Sequence, residues 1–432
     1  MKKKIIVLAF IFYICFTSCV SNEMPEGLPE KYKYLKNNMI KIDITDDSFS
    51  VLADFNESVR DYDIFFTGEY HAVAKNYDII FYLLKNFNQN HGVRYILLEN
   101  GFAEGQILNK YLQSGDKNIL DATGAALYAE EAYEFYVKVY EYNKTLPENK
   151  KLTFVGIDLQ PQAGINKYYL FDLLAKEPPR EIANVINQFK ELWDNNKFEI
   201  IWENDQYREI INGTKIVLDD MGNKPEIYKE YLGDEYFSFM FACENILQTI
   251  ACYKDDTNDN AFIKRENYMR HNFDVLYEYY KHYGNYGNEK YYGNFGNLHA
   301  RLKLSAETTE TIIDTVASFI DNDHETTKGK TLSISFIYSD SMWADTLNDY
   351  TPVEINGGTY NTPIGHFTCA DETTISFAKS LSGSDFTLFD LTNDNSPFIE
   401  YNESTGQIFY TYGFQYYLLI QNSPAVTKMR VR

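Results

Sequence analysis

Three short apolar runs in the first half of the chain, at residues 63–67 (DIFFT), 95–98 (YILL) and 152–157 (LTFVGI), alternate with segments of helical periodicity. Between the first two, Tyr77, Ile80, Phe81, Leu84 and Phe87 recur at the spacing of one helix face. A strand, a helix and a strand in that order form a β-α-β unit, and such units build a parallel sheet. Further apolar runs at 331–337, 386–391 and 416–420 supply later strands. Helices are expected at 102–113 and 127–142. Residues 164–280 read as a long helical insertion over the sheet, with Met240, Cys243, Leu247 and Ile250 on one apolar face. The expected architecture is therefore α/β: a central, mostly parallel sheet flanked by helices, forming one domain over residues 46–432. Two segments read as irregular. Residues 283–297 repeat Tyr-Gly-Asn and run into a candidate strand, and residues 348–383, rich in Thr, Asn, Gly and Pro, read as a surface excursion.

The first 18 residues read as an export signal. Lys2 to Lys4 form a basic start, and the apolar stretch 5–16 is too short to span a bilayer as a helix. It ends at Phe16-Thr17-Ser18-Cys19, which looks like a bacterial lipoprotein cleavage box. Cys19 is the expected lipid attachment point, and residues 19–45 the tether and lead-in. The expectation is an exported lipoprotein of the cell envelope, on the periplasmic side or outer surface, touching the membrane only through the lipid on Cys19. Simple secretion is the alternative.

The charge balance excludes one broad class of partner. There are 40 Lys+Arg against 62 Asp+Glu, and loss of the leader takes the net charge from −22 to −25. Such a surface repels phosphate backbones, so no nucleic-acid partner is expected. Cys243 and Cys252 lie about 13 Å apart along a helical pattern, too far to bridge, and read with Cys369 as buried thiols.

In an open parallel sheet, ligands bind beyond the carboxyl ends of the strands. Polar groups follow each early strand at that end: Gly68-Glu69-Tyr70-His71, then Glu99-Asn100-Gly101, then Asp158-Leu159-Gln160. A later aromatic run reaches Asn297-Leu298-His299. Any one of these carboxylates could merely cap the next helix. Together they read as a site. Glu69 and His71, two apart, would point the same way in an extended segment. His91, His282, His324 and His366 sit in polar contexts and are expected to be solvated. The segment His324-Glu325-Thr326-Thr327-Lys328 starts like a zinc-binding helix but lacks its second histidine.

At these residues the chain resembles the erythromycin esterase family and its wider relatives, the haem-uptake and Tiki-type proteins. The likeness runs in order through Gly68, Glu69 and His71, then 98–104 (LENGFAE), 108–111 with Gly115, Glu131, 156–160 (GIDLQ), and Arg265, Met269 and Asn272. It ends with 418–421 and Ser423-Pro424-Ala425. Two departures stand out. Family esterases carry two residues between the first Glu and His, and this chain has only Tyr70. The family's His-Asn-x-His is Gly296-Asn297-Leu298-His299 here, so its first imidazole is missing. Both argue against a macrolide substrate.

The resemblance implies a hydrolase acting on a small molecule with an ester or related carbonyl. Neutral His71, with an ordinary pKa near 6.5, would take a proton from water. Glu69 and Glu99 would orient it, and Arg265 and His299 would stabilise the oxyanion. Glu104 and Asp158 are binding positions. A variant of this scheme holds a divalent metal between Glu69, His71, Glu99 and His299. The alternative is a non-catalytic lipoprotein binding haem or another small ligand.

Overall fold

The computed structural model describes residues 29–429, except 122, 124–128, 196–198, 202–206, 255–257, 284–288, 303–313, 347–348, 363–364 and 403–406. The leader 1–18 and Cys19 lie outside the described residues. Strands form at β1 (Met39–Ile42), β2 (Ile64–Glu69), β3 (Val93–Gly101), β4 (Thr153–Asp158), β5 (Lys290–Gly296) and β6 (Thr331–Asp345). They continue with β7 (Thr351–Thr362), β8 (Gly365–Ala370), β9 (Phe386–Asp390), β10 (Ile399–Asn402), β11 (Gln407–Tyr410) and β12 (Tyr416–Gln421). All but the β10–β11 hairpin join one sheet, whose main path runs β1-β9-β12-β6-β2-β5-β3-β4. From β12 to β4 every neighbouring pair is parallel. The pairs β1–β9, β9–β12, β6–β7 and β7–β8 are antiparallel. The fold is α/β with a mixed, mostly parallel sheet flanked by helices.

Every residue of β2 is buried, as an apolar strand covered on both faces should be. Phe65 on this strand stacks on Phe87 of the helix Ala74–His91, with centroids 4.4 Å apart. That helix stops at Gly92, whose φ of +79° forms the left-handed cap a glycine supplies without strain. The chain then enters β3, yet β2 and β3 are not neighbours. Between them lies β5, which the chain reaches only after the helical region. This region consists of the helices Ala163–Leu173, Arg180–Asn195, Tyr207–Asn223, Pro225–Leu232, Tyr236–Tyr253 and Asn258–Tyr283.

Polar side chains seal the outer edge at β4. Asn109 on the helix Phe102–Ser114 exchanges two bonds with the backbone of Phe154, 2.7 and 2.8 Å long. Asn272 on the helix Asn258–Tyr283 donates to the Ile157 carbonyl at 2.9 Å, and Asn245 donates to the Asp158 carbonyl at 3.0 Å. An uncovered edge strand would leave such groups free to pair with another chain. The helix Phe102–Ser114 also lies close against β4. A Cβ on Gly105 would stand 2.7 Å from the backbone nitrogen of Gly156, and one on Gly156 would collide with the Gly101 carbonyl, so both positions need glycine.

Two expectations from sequence are corrected. Residues 348–383 are not a surface excursion: they form β7, β8 and the helix Glu372–Ser382, and bury Ile355, Cys369, Ala370, Ile375 and Ala378. Those apolar residues are spread among turn-forming types, which hides their alternation. The helix expected at 127–142 spans Glu130–Thr145. Cys243, Cys252 and Cys369 are buried and form no disulfide, as expected. No helix among the described residues is long and apolar enough to cross a membrane.

Candidate functional site

The carboxyl ends of β2, β3, β4 and β5 carry Glu69, Glu99, Asp158 and Gly296. The strands are parallel and in register, so Glu69 pairs with Gly296 across the sheet. Near Glu99 the β3–β4 register shifts between Leu98 and Gly101, an irregularity that turns the strand end toward the site. His71 lies beyond the end of β2, in a turn where Ala72 takes a φ of +63°. The turn, and not the alternation of a strand, folds the imidazole back. Its Nδ1–H donates to Glu69 Oε1 at 2.9 Å. Asn76, in the first turn of the next helix, donates to the other oxygen of Glu69 at 3.1 Å. Tyr338 in turn donates to Asn76 Oδ1 at 3.1 Å and accepts the Tyr70 N–H at 3.0 Å. The orientation of Glu69 is thus set by groups from β6 as well as from its own strand.

Glu99 is the centre of the cluster. Its Oε2 accepts the Gly296 N–H at 2.6 Å and lies 3.7 Å from His71 Nε2. Its Oε1 accepts from Arg265 Nη2 at 2.8 Å and lies 3.3 Å from His299 Nε2. Arg265, on the helix Asn258–Tyr283, also clasps Asp158, with Nε 3.0 Å from both carboxylate oxygens and Nη2 on Oδ2. The neighbouring Glu266 takes the other side of His299: its Oε1 pairs with Nδ1 of the ring, and its Oε2 accepts the Val316 N–H at 2.8 Å. The Phe262 ring stacks on the same imidazole, 5.5 Å between centroids. The result is two carboxylate–imidazole pairs, Glu69–His71 and Glu266–His299, with both Nε2 atoms turned toward Glu99.

These neighbours set the charges. The loss of water around the site disfavours charge on either imidazole, but the surrounding carboxylates prevail. Glu99 and Glu69 raise His71 to about 9. Glu266 and Glu99 raise His299 to about 10. Burial would raise Glu99, but His299, His71 and Arg265 hold it well below the usual carboxylate range. Asp158 and Glu99 keep the Arg265 guanidinium charged against its own burial. His71 is therefore an imidazolium at neutral pH, whereas the sequence reading took it as neutral. The His71 side chain remains 63% exposed, on the open side of the cluster.

A cavity of about 380 Å³ opens beside His71, with Glu69, Glu99, Asn100, Glu104, Tyr77 and Tyr136 in its wall. Glu104 is buried in the first turn of the helix Phe102–Ser114, where Asn100 Nδ2 donates to it at 3.0 Å. Gly296 has an effect of its own. A Cβ there would stand 3.1 Å from His71 Nε2 and 3.6 Å from Glu99 Oε2, so its absence leaves Nε2 accessible.

The structure brings Glu69, His71, Glu99, Asp158, Arg265 and His299 together. The metal arrangement is not assembled. Among the described residues no group of three or more His, Cys, Asp or Glu side chains is placed to hold an ion. The Arg265 guanidinium already lies between Glu99 and Asp158 and places a cation where the ion would sit near Glu99. Glu266 was not singled out from sequence. It adjoins Arg265 in a helix, and only the return of His299 to that helix gives it a role. His324 is not solvated: it is buried against Phe273, Tyr277 and Phe319, with Nδ1 bonded to Thr327 Oγ1 at 2.7 Å. His91 is half-buried, its ring tilted against Phe65, and burial lowers it to about 4. His282 is exposed as expected, and the side chain of His366 lies outside the described residues.

Fold and site together define an α/β protein with a carboxylate–imidazole centre at the carboxyl ends of parallel strands. The chain is similar to the erythromycin esterase family, whose profile matches residues 88–300, a span that contains Glu99, Glu104, Asp158, Arg265, Glu266 and His299. A curated relative, erythromycin esterase type II of Escherichia coli, is 30% identical over 132 residues, covering 30% of this chain and 31% of that protein. The match thus spans less than a third of the relative's length. Among solved structures, a Bacillus cereus protein superposes with a TM-score of 0.66 at 14% identity, covering 94% of this chain and 100% of the other. An erythromycin esterase mutant, EreC in its open conformation, gives 0.57 at 14% identity, covering 91% and 98%. At that identity the two superpositions establish a shared fold.

Proposed function

We propose that this protein is a hydrolase that uses water to cleave an ester or related carbonyl of a small molecule, with the Glu69–His71 pair as its proton-transfer device. The observation that carries the reading is the 2.9 Å bond from His71 Nδ1 to Glu69, which leaves Nε2 facing the space beside Gly296 and the cavity. A base held by an orienting carboxylate, with its second nitrogen free toward the substrate, is the arrangement general-base catalysis requires. With a pKa of about 9, roughly one His71 imidazole in a hundred is neutral at pH 7. In that form Nε2 takes a proton from water while the water oxygen bonds to the carbonyl carbon. The resulting imidazolium then returns the proton to the leaving alkoxide, giving acid and alcohol. Glu69 and Glu99 stabilise the imidazolium, while Arg265 and His299 hold Glu99 from behind and add positive charge near the oxyanion.

The test is turnover of a panel of aryl, alkyl and lactone esters by the purified protein and by His71→Ala. Hydrolysis that vanishes in the variant is the expected result. Equal rates in both would sink the mechanism, and binding without turnover would return the protein to the ligand-binding alternative. The proposal includes export and lipid attachment at Cys19, supported by Lys2–Lys4 and the apolar stretch 5–16. Labelled fatty acid should enter the wild-type protein and not Cys19→Ala.

A further inference from the structure

Each carboxylate in the cluster around Glu99 has a cation beside it. Glu69 has His71, Glu99 has Arg265 and His299, Asp158 has Arg265, and Glu266 has His299. Glu104, on the wall of the same cavity, differs. It is 1% exposed, and its hydrogen-bond partners are the neutral amides of Asn100 and Gln160. Among the described residues it has no ion pair. A buried carboxylate without a cation is expensive, and chains retain few of them without a reason.

A structural reason would be the amino end of its helix, which favours an acid in the first turn. That pairing would hold the carboxyl below its ordinary value. Burial drives Glu104 up to about 7, against the lowering effect of the two amide bonds. The same cavity wall carries Tyr77, Phe135 and Tyr136 among aliphatic residues, and the Glu104 charge acts on Tyr136. Tyr77 and Phe135 lie 6.2 Å apart by ring centroid, and Phe135 and Tyr136 lie 5.3 Å apart. Aromatic rings around an unpaired carboxyl attract an organic cation, through ring quadrupoles and through charge. A volume of about 380 Å³ lies at the lower end for small-molecule sites and suits a compact group.

We propose that the inner part of this cavity is a binding site for an ammonium group, with Glu104 as its counter-ion and Tyr77, Phe135 and Tyr136 as its aromatic wall. The substrate class this assigns is a cationic ester, whose amine occupies the Glu104 end while its carbonyl lies beside His71. The assignment of the ester rests on the hydrolase reading, but the ammonium site does not need turnover.

The test compares two ligands of equal shape, (3-hydroxyphenyl)trimethylammonium and 3-tert-butylphenol, titrated calorimetrically into the purified protein at pH 8. The cation should bind at least tenfold more tightly to the wild type, and Glu104→Gln should erase that preference. Equal binding of the two ligands by the wild type would overturn the proposal without any variant. So would a preference that persists in a folded Glu104→Gln protein. The acetate esters of the same two phenols, assayed in parallel, report on hydrolysis. If neither is cleaved while the cation preference holds, the hydrolase reading fails and the ammonium site stands.

Discussion

Gly296 and His71 face each other so closely that a single methyl group on the glycine would stand 3.1 Å from the imidazole Nε2. The glycine also fixes Glu99 through its backbone N–H, at 2.6 Å. The position where the resemblance to the esterases implies a histidine is thus an opening here, beside the proton-transfer atom and within reach of the cavity.

Gly296→Ala tests that opening directly. The new Cβ leaves the backbone N–H in place, and the exposed His71 ring can shift by a few tenths of an ångström, so stability should change by less than about 1 kcal/mol. Turnover should fall tenfold or more, because the base is displaced from its working position. Thermal unfolding and steady-state kinetics on the same preparation separate the two effects.

Glu69→Gln keeps the shape of the side chain and removes its charge. His71 then loses one of the two carboxylates that raise its pKa, and one partner that fixes its Nδ1. A positioned base contributes ~10²–10⁴-fold, so a drop of about that size in kcat is expected. The remaining activity should reach its plateau at a lower pH than in the wild type. An unchanged pH profile would remove Glu69 from the mechanism.

The pH dependence has a definite sign. His71 and His299 bind their protons more tightly in the folded protein than an unfolded histidine near 6.5 does. Their contribution to stability is complete below that value and is lost as pH rises through about 9 and about 10. The melting temperature should therefore decline from pH 7 to pH 10. Turnover should climb across that range as His71 gives up its proton, reaching half its plateau near pH 9. Rates measured beside melting curves from pH 6 to 10 check both.

Arg265→Met should damage the fold more than the base variants do. It leaves Glu99 and Asp158 buried without the guanidinium that lies between them. Breaking a buried pair in this way costs roughly 3–5 kcal/mol, which urea denaturation would register as a lower midpoint at an unchanged slope.

The α/β class and most of the site were legible in the sequence because both are local. A strand buried on both faces reads as an apolar run, and a parallel sheet places the residues after each run at one end. Glu69, Glu99 and Asp158 follow from that rule alone. The sequence also displayed Gly296 and His299 in one short stretch.

Only the tertiary structure decided how these residues meet. Nothing within β2 or β3 says that β5 separates them, because strand order depends on how the long helical region packs before the chain returns. That return brings His299 against Glu266, a residue with no distinguishing signal of its own. The Ala72 turn that folds His71 onto Glu69 is held by backbone N–H groups of Ala344 and Val426, both distant in sequence. The proton affinity of His71 is a tertiary property too. The sequence supplies an imidazole of ordinary pKa, and two carboxylates carried by different strands raise it to about 9.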